Sequence, residues 1–104
     1  MPRALVTGGT RGIGLAIAHA ILGAGGRVAI TGRNQATVDR TAGNLASVAG
    51  DAGRVVGLVA DVRDRAAVDQ AVADAASRFG GLDVVVNNTS IGIYKNVETL
   101  SDND

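Results

Sequence analysis

Four short runs of apolar residues, separated by segments with helical spacing, constrain the fold of this chain more than any other feature. The runs are apolar throughout and do not alternate with polar residues, which is typical of strands buried on both faces of a parallel sheet. They cover Ala4–Thr7, Val28–Ile30, Val55–Ala60 and Leu82–Val86. Because parallel strands need right-handed crossover connections, the pattern predicts a doubly wound α/β fold of the Rossmann type.

Three amphipathic segments lie between these runs. Apolar residues recur at helical spacing within Ile13–Ile21, Val38–Ala49 and Val68–Phe79. Each segment is followed by glycine, which readily adopts the left-handed conformation found at helix ends. The sequence therefore predicts four strands and three helices in the order β-α-β-α-β-α-β.

Length and composition indicate one globular domain over residues 1–104. Apolar residues make up 46% of the chain, and ten basic residues balance ten acidic ones. A neutral chain lacks the field that draws proteins to nucleic acid or to anionic membranes, so we expect neither partner. Cysteine is absent, and no segment approaches the ~20 apolar residues of a membrane span. We expect a cytoplasmic protein.

The C-terminal segment predicts structure beyond the chain. Ser101–Asp104 has the pattern of a helix N-cap followed by acidic residues, but no helix follows it in the sequence. Val84–Val86 would be an aggregation hazard as an uncovered edge strand. We therefore expect a further strand and two more helices, either beyond Asp104 or supplied by a partner.

A glycine-rich segment joins the first strand to the first helix and is the strongest candidate for a binding site. Gly8 permits a tight turn, Gly12 lets a diphosphate approach the backbone, and Gly14 allows close packing of the helix. Free amide groups at the helix N-terminus would bind the diphosphate. The candidate residues are Gly8, Gly9, Thr10, Arg11, Gly12, Ile13 and Gly14. A purely structural glycine-rich turn is the alternative, but the strand before it and the helix after it favour the binding site.

Four motifs in this order resemble the N-terminal half of a short-chain dehydrogenase/reductase. They are TGGTRGIG, TGRN at the end of the second strand, ADV at the end of the third, and VNN at the end of the fourth. The resemblance extends over the whole chain, and the glycine spacing matches the short-form members of the family. It implies an oxidoreductase that depends on NAD or NADP and acts on alcohols or carbonyls, and a homo-oligomer for the full-length protein.

The end of the second strand favours NADP over NAD. Rossmann units that bind NAD place an acidic residue there for the ribose 2′-hydroxyl, whereas NADP needs positive charge for the 2′-phosphate. This chain has Arg33 and Asn34 at that point and no acidic residue. Arg33 can offer paired donors to a phosphate, and Arg11 resembles a second basic residue of NADP-preferring relatives. The alternative is that Arg33 is a solvated loop charge.

The ends of the third and fourth strands supply the remaining candidates. By resemblance, the Asp61 carboxylate receives the adenine amino group, the Val62 backbone meets a ring nitrogen, and Asn88 lies beside the cofactor. Asp61 could instead cap the following helix. The family motif N-N-A-G is matched only in its first half, because Thr89 and Ser90 replace its alanine and glycine.

No catalytic or metal site is predicted within the chain. The family uses a serine and a Tyr-x-x-x-Lys pair, but Tyr94 and Lys95 are adjacent, and we predict that they lie in a loop. His19 falls on the solvent side of its helix, and one histidine with scattered carboxylates cannot form a metal cluster. Two hypotheses stay open: the cofactor-binding half of an NADP-dependent reductase with catalytic residues beyond Asp104, or a non-catalytic NADP-binding sensor or remnant.

Overall fold

The computed structural model describes residues 2–10 and 12–88 and the backbone of residues 92–94. Five strands form one sheet: β1 (Arg3–Thr7), β2 (Arg27–Gly32), β3 (Val55–Val59), β4 (Val84–Asn87) and β5 (Gly92–Tyr94). Three α-helices connect the first four strands: α1 (Gly12–Gly23), α2 (Gln35–Ala49) and α3 (Arg65–Phe79). A short 3₁₀ helix, Ala52–Arg54, lies between α2 and β3.

The sheet has the strand order β3-β2-β1-β4-β5. The strands β1 to β4 are parallel, and β1 lies between β2 and β4. In this arrangement the chain reverses its direction of travel across the sheet after β3, so the carboxyl ends of β1 and β4 meet at a topological switch point. Ligands of open α/β sheets bind at this position. The predicted fold class, with four parallel strands and three helices, is confirmed.

The helices cover both faces of the sheet. One buried cluster joins the sheet to α1 and α2: Val6, Ala18, Leu22, Val28, Ile30, Leu45, Val55 and Val86. The other joins the opposite face to α3: Leu5, Ala29, Ala60, Ala71, Ala75, Phe79 and Val85. Successive residues of one strand contribute to opposite clusters, which explains why the predicted strands are apolar at every position.

One prediction about the sheet edge is wrong. The strand beside β4 was expected beyond Asp104 or from a partner, but it lies within the chain: β5 pairs with β4 in the antiparallel direction, with Val86 opposite Ile93. Tyr94 accordingly lies in a strand and not in a loop. Three residues are too few to give a periodic signal, which is why the sequence did not predict β5. The cap pattern at Ser101–Asp104 lies outside the described residues.

Local capping fixes where α2 and α3 begin and end. The Asn34 side chain accepts a hydrogen bond from the Thr37 amide, and the Asp64 side chain accepts one from the Ala67 amide. At the other ends, Gly50 and Gly80 adopt left-handed conformations with φ of 73° and 75°. These caps satisfy backbone groups that the helix itself leaves unpaired.

An ion pair joins the beginning of β1 to the segment before β4. Arg3 donates from Nε to Asp83 Oδ2 and from Nη2 to Asp83 Oδ1, each at 2.9 Å, and its backbone amide donates to Oδ2 at 3.0 Å. These hydrogen bonds lower the pKa of Asp83 to about 2, and the side-chain hydrogen bonds of Arg3 contribute more than its backbone amide. The pair holds β4 beside β1 at the end of the sheet opposite the switch point.

Candidate cofactor-binding site

The turn after β1 is held against the end of β2 by two hydrogen bonds. Gly8 has a φ of 65°, and its amide donates to Thr31 Oγ1 at 3.2 Å. The Gly9 amide donates to the Thr31 carbonyl at 3.1 Å. A Cβ atom on Gly9 would lie 2.6 Å from Ile30 Cγ2, so the turn approaches β2 more closely than a side chain allows. The predicted conformational role of Gly8 is confirmed.

The other two glycines differ in their surroundings. A Cβ atom on Gly14 would lie 2.4 Å from the Gly8 carbonyl oxygen, which means that α1 packs directly on the turn. Gly12 has a φ of 62°, and a Cβ atom there would meet nothing within 4 Å. The backbone at Gly12 is therefore exposed at the N-terminus of α1, where unpaired amide groups and the helix dipole favour an anion. Arg11 lies outside the described residues.

Asn88 ties the end of β4 to this turn. Its backbone amide donates to Thr7 Oγ1 at 3.1 Å, and its side-chain Nδ2 donates to the Gly8 carbonyl at 3.3 Å. Thr7 is only 3% exposed, and its hydroxyl donates in turn to the Val86 carbonyl at 3.2 Å. Asn88 therefore joins the end of β4 to the end of β1 and to the turn that follows it.

A groove of about 400 Å³ opens at the carboxyl ends of the strands. Six of its lining residues were predicted from the sequence: Gly8, Thr10, Arg33, Asp61, Val62 and Asn88. Three were not: Gly32, Ala60 and Arg63. The groove thus combines the glycine turn with the ends of β2, β3 and β4, as the order of the motifs predicted.

Asp61 is held by Arg63 and not by the helix that follows. Asp61 Oδ1 accepts from the Arg63 backbone amide at 2.9 Å and from its Nε at 3.1 Å, and Oδ2 accepts from its Nη2 at 2.8 Å. These bonds lower the pKa of Asp61 to about 2, with a smaller contribution from the charge of Arg33. The alternative that Asp61 caps α3 is wrong, because Asp64 occupies the N-cap position.

A second, smaller pocket lies beside the groove at the N-terminus of α2. It has a volume of about 260 Å³ and is lined by Thr10, Gly32, Arg33, Asn34 and Thr37. Asn34 uses its side-chain oxygen to cap α2 at 3.1 Å from the Thr37 amide. Its amide nitrogen keeps the capacity to donate. No acidic side chain lines this pocket among the described residues, whereas Arg33 lines both pockets.

The family model for short chain dehydrogenases matches residues 2–104. The chain belongs to this family. Among curated relatives, the chain is 38% identical over 88 residues to a sorbitol dehydrogenase of Cereibacter sphaeroides, covering 85% of this chain and 32% of the relative. It is 41% identical over 99 residues to a D-threitol dehydrogenase of Mycolicibacterium smegmatis, covering 94% and 36%. The chain spans about a third of the length of such relatives.

Solved structures of the family share both the fold and part of the sequence. A short chain dehydrogenase from Burkholderia cenocepacia in complex with NADP is 41% identical, with a TM-score of 0.74 over 83% of this chain and 34% of that one. An actinorhodin polyketide ketoreductase variant with NADPH is 39% identical, with a TM-score of 0.73 over 82% of this chain and 31% of that one.

Sequence reasoning missed Arg63 and Thr31. Arg63 is not among the candidates from the sequence, although an arginine two residues after a strand-end aspartate is a spacing that permits a local ion pair. Thr31 is 1% exposed and holds the Gly8 amide, but a threonine inside an apolar strand gives no signal for that contact.

The remaining predictions have mixed outcomes. His19 is exposed on α1, as expected. Thr89, Ser90 and Lys95 lie outside the described residues, so the effect of the altered asparagine motif stays a prediction. Within the described ranges, no group of three potential metal ligands comes together, and no helix has the length and apolarity to cross a membrane.

Proposed function

We propose that this short chain dehydrogenase binds NADP(H) in the groove at the switch point and provides the cofactor-binding part of an oxidoreductase that acts on alcohol or carbonyl groups. The observation that carries the proposal is the end of β2, where Arg33 lines both pockets and no acidic side chain lines the smaller one among the described residues. The NADP and NADPH complexes of two solved relatives support the choice of cofactor.

The residues of the groove fit a dinucleotide. The diphosphate would lie at the N-terminus of α1, where Gly12 leaves open space and unpaired amide groups are available. Asp61 and Val62 would hold the adenine, with Asn88 near the nicotinamide half. The 2′-phosphate would lie in the smaller pocket, where Arg33 and Asn34 can donate and the N-terminus of α2 adds a positive dipole.

The bound cofactor would supply or accept a hydride. The 104 residues hold a single tyrosine and a single lysine, Tyr94 and Lys95, which are adjacent in the sequence. Adjacent side chains cannot share a helix face as a Tyr-x-x-x-Lys pair does, so we assign neither residue a role in proton transfer. The proposal therefore places cofactor binding, and no catalytic residue, on these 104 residues.

The proposal is tested by reversing the charge at position 33. Arg33→Asp should weaken NADP binding and leave NAD binding intact, because a phosphate loses charged hydrogen bonds worth about 1.5 to 3 kcal/mol each. We expect a loss of tenfold to several hundredfold for NADP in isothermal titration calorimetry. Arg40→Asp, an exposed change on α2 outside both pockets, is the matched control. An equal loss of both cofactors in the Arg33 variant would contradict the assignment.

A further inference from the structure

Arg63 donates three hydrogen bonds to a single carboxylate. Its backbone amide, Nε and Nη2 all donate to Asp61, two residues earlier in the chain, at distances of 2.8 to 3.1 Å. The Arg63 side chain is 74% exposed and that of Asp61 is 35% exposed. Exposed ion pairs contribute little to stability, so the fixed geometry of the Arg63–Asp61 pair calls for another explanation.

The three bonds leave a defined acceptor on Asp61. An ionised carboxylate offers about four lone-pair positions, two on each oxygen. Oδ1 accepts twice from Arg63 and Oδ2 accepts once, so the remaining capacity lies on Oδ2. Both residues line the groove, and the low pKa of Asp61 keeps its carboxylate an acceptor at neutral pH.

Such an acceptor distinguishes between purine bases by their 6-substituent. A 6-amino group donates to the carboxylate, whereas a 6-oxo group presents a second acceptor and is repelled. The discrimination is effective only where the carboxylate is held in one orientation, because a freely rotating carboxylate can turn away from the unfavourable contact.

We propose that Arg63 is a positioning residue that fixes the Asp61 carboxylate so that the groove selects a 6-aminopurine dinucleotide over its 6-oxopurine analogue. This inference rests on the proposed function, since it assigns the base of the bound dinucleotide to Asp61. It adds a residue that is not expected to touch the base and acts through the orientation of its neighbour.

The size of the effect follows from the freedom that Arg63 removes. An unrestrained aspartate side chain has three staggered χ1 positions and a broad χ2 distribution, so fixing one orientation changes the population of the competent state by about threefold to tenfold. We therefore expect the ratio of affinities for NADP and nicotinamide hypoxanthine dinucleotide phosphate to fall by about that factor in Arg63→Ala.

The test measures both dissociation constants by isothermal titration calorimetry on the whole 104-residue chain, with folding checked by circular dichroism. Arg40→Ala removes the same charge from an exposed position outside the groove and should keep the wild-type ratio. Arg63→Lys should restore part of the ratio, because an ammonium group can contact the carboxylate without the paired geometry of a guanidinium.

The outcomes separate this inference from the proposed function. An equal loss of affinity for both dinucleotides in Arg63→Ala would mean that Arg63 acts as a general positive charge, and it would overturn the inference while NADP binding stands. The inference would also be overturned if the ratio of the two affinities were unchanged or raised in Arg63→Ala, or if it fell equally in Arg40→Ala. It would be overturned as well if the wild-type chain did not distinguish the two bases. A wild-type chain that binds neither dinucleotide would overturn the proposed function and this inference together.

Discussion

Replacing Gly14 by alanine tests the contact that shapes the turn against α1. The added Cβ atom would lie 2.4 Å from the Gly8 carbonyl oxygen and 3.0 Å from Asn88 Nδ2. The first of these atoms belongs to the backbone of a turn that hydrogen bonds hold on two sides, so it cannot move away as the end of a flexible side chain would.

The magnitude follows from two opposing terms. Forcing a methyl group into a packed position costs about 1–3 kcal/mol, and a clash with backbone puts this site at the upper end. Alanine is favoured over glycine within a helix by about 1 kcal/mol. The net loss in the free energy of unfolding should be about 2 kcal/mol, which corresponds to a fall in Tm of about 8 °C for a domain of this size.

Gly43→Ala is the matched control for this change. Gly43 lies within α2, is exposed, and an added Cβ atom would meet nothing within 4 Å. The same substitution should therefore raise Tm by about 4 °C through helix propensity alone. Thermal unfolding followed by circular dichroism measures both variants. A Gly14→Ala protein as stable as the wild type, or stabilised like Gly43→Ala, would refute the close packing of α1 on the turn.

Two further predictions concern the junction of β1 and β4. Thr7→Val should lower the free energy of unfolding in urea by about 1 kcal/mol, because it leaves the partly buried Asn88 amide without its acceptor. Thr7→Ser should retain most of that stability, and equal losses in the two variants would contradict the role of the hydroxyl. The pKa of Asp83 lies at about 2, below its usual 3.8, so the Arg3 pair stabilises the folded state above about pH 4 and this stabilisation disappears as the pH falls through 2. Asp83→Asn should therefore reduce the fall in the free energy of unfolding between pH 4 and pH 2. An unchanged pH dependence below pH 4 would argue against the Arg3–Asp83 pair as its source.

The parallel sheet could be predicted because its signal is repeated along the chain. Each buried strand is apolar on both faces, and each connecting segment has helical spacing, so fold class and element order follow from periodicity. The strand β5 could not be predicted in this way. Gly92–Tyr94 is too short for a pattern, and its pairing depends on β4 being available as a neighbour.

The candidate site was predictable where backbone chemistry determines the residue type. Gly8 and Gly14 stand where a positive φ or a close approach requires glycine, and this requirement is visible in the sequence. The contact between Asp61 and Arg63 depends on the side-chain conformations that two neighbouring residues adopt. The sequence left open whether Asp61 caps the following helix, and it indicated no partner for Arg63.

The geometry of the turn is determined by more contacts than its own sequence contains. The Gly8 carbonyl faces both Asn88, 80 residues later, and the α-carbon of Gly14, while the Gly8 amide is held by Thr31 of β2. Three separate elements therefore fix the backbone of one residue, Gly8, at the switch point. A binding loop fixed in this way loses little conformational entropy when a ligand arrives, so the free energy of its contacts appears largely as affinity. The glycines permit this conformation, and the polar residues at the ends of β2 and β4 select it.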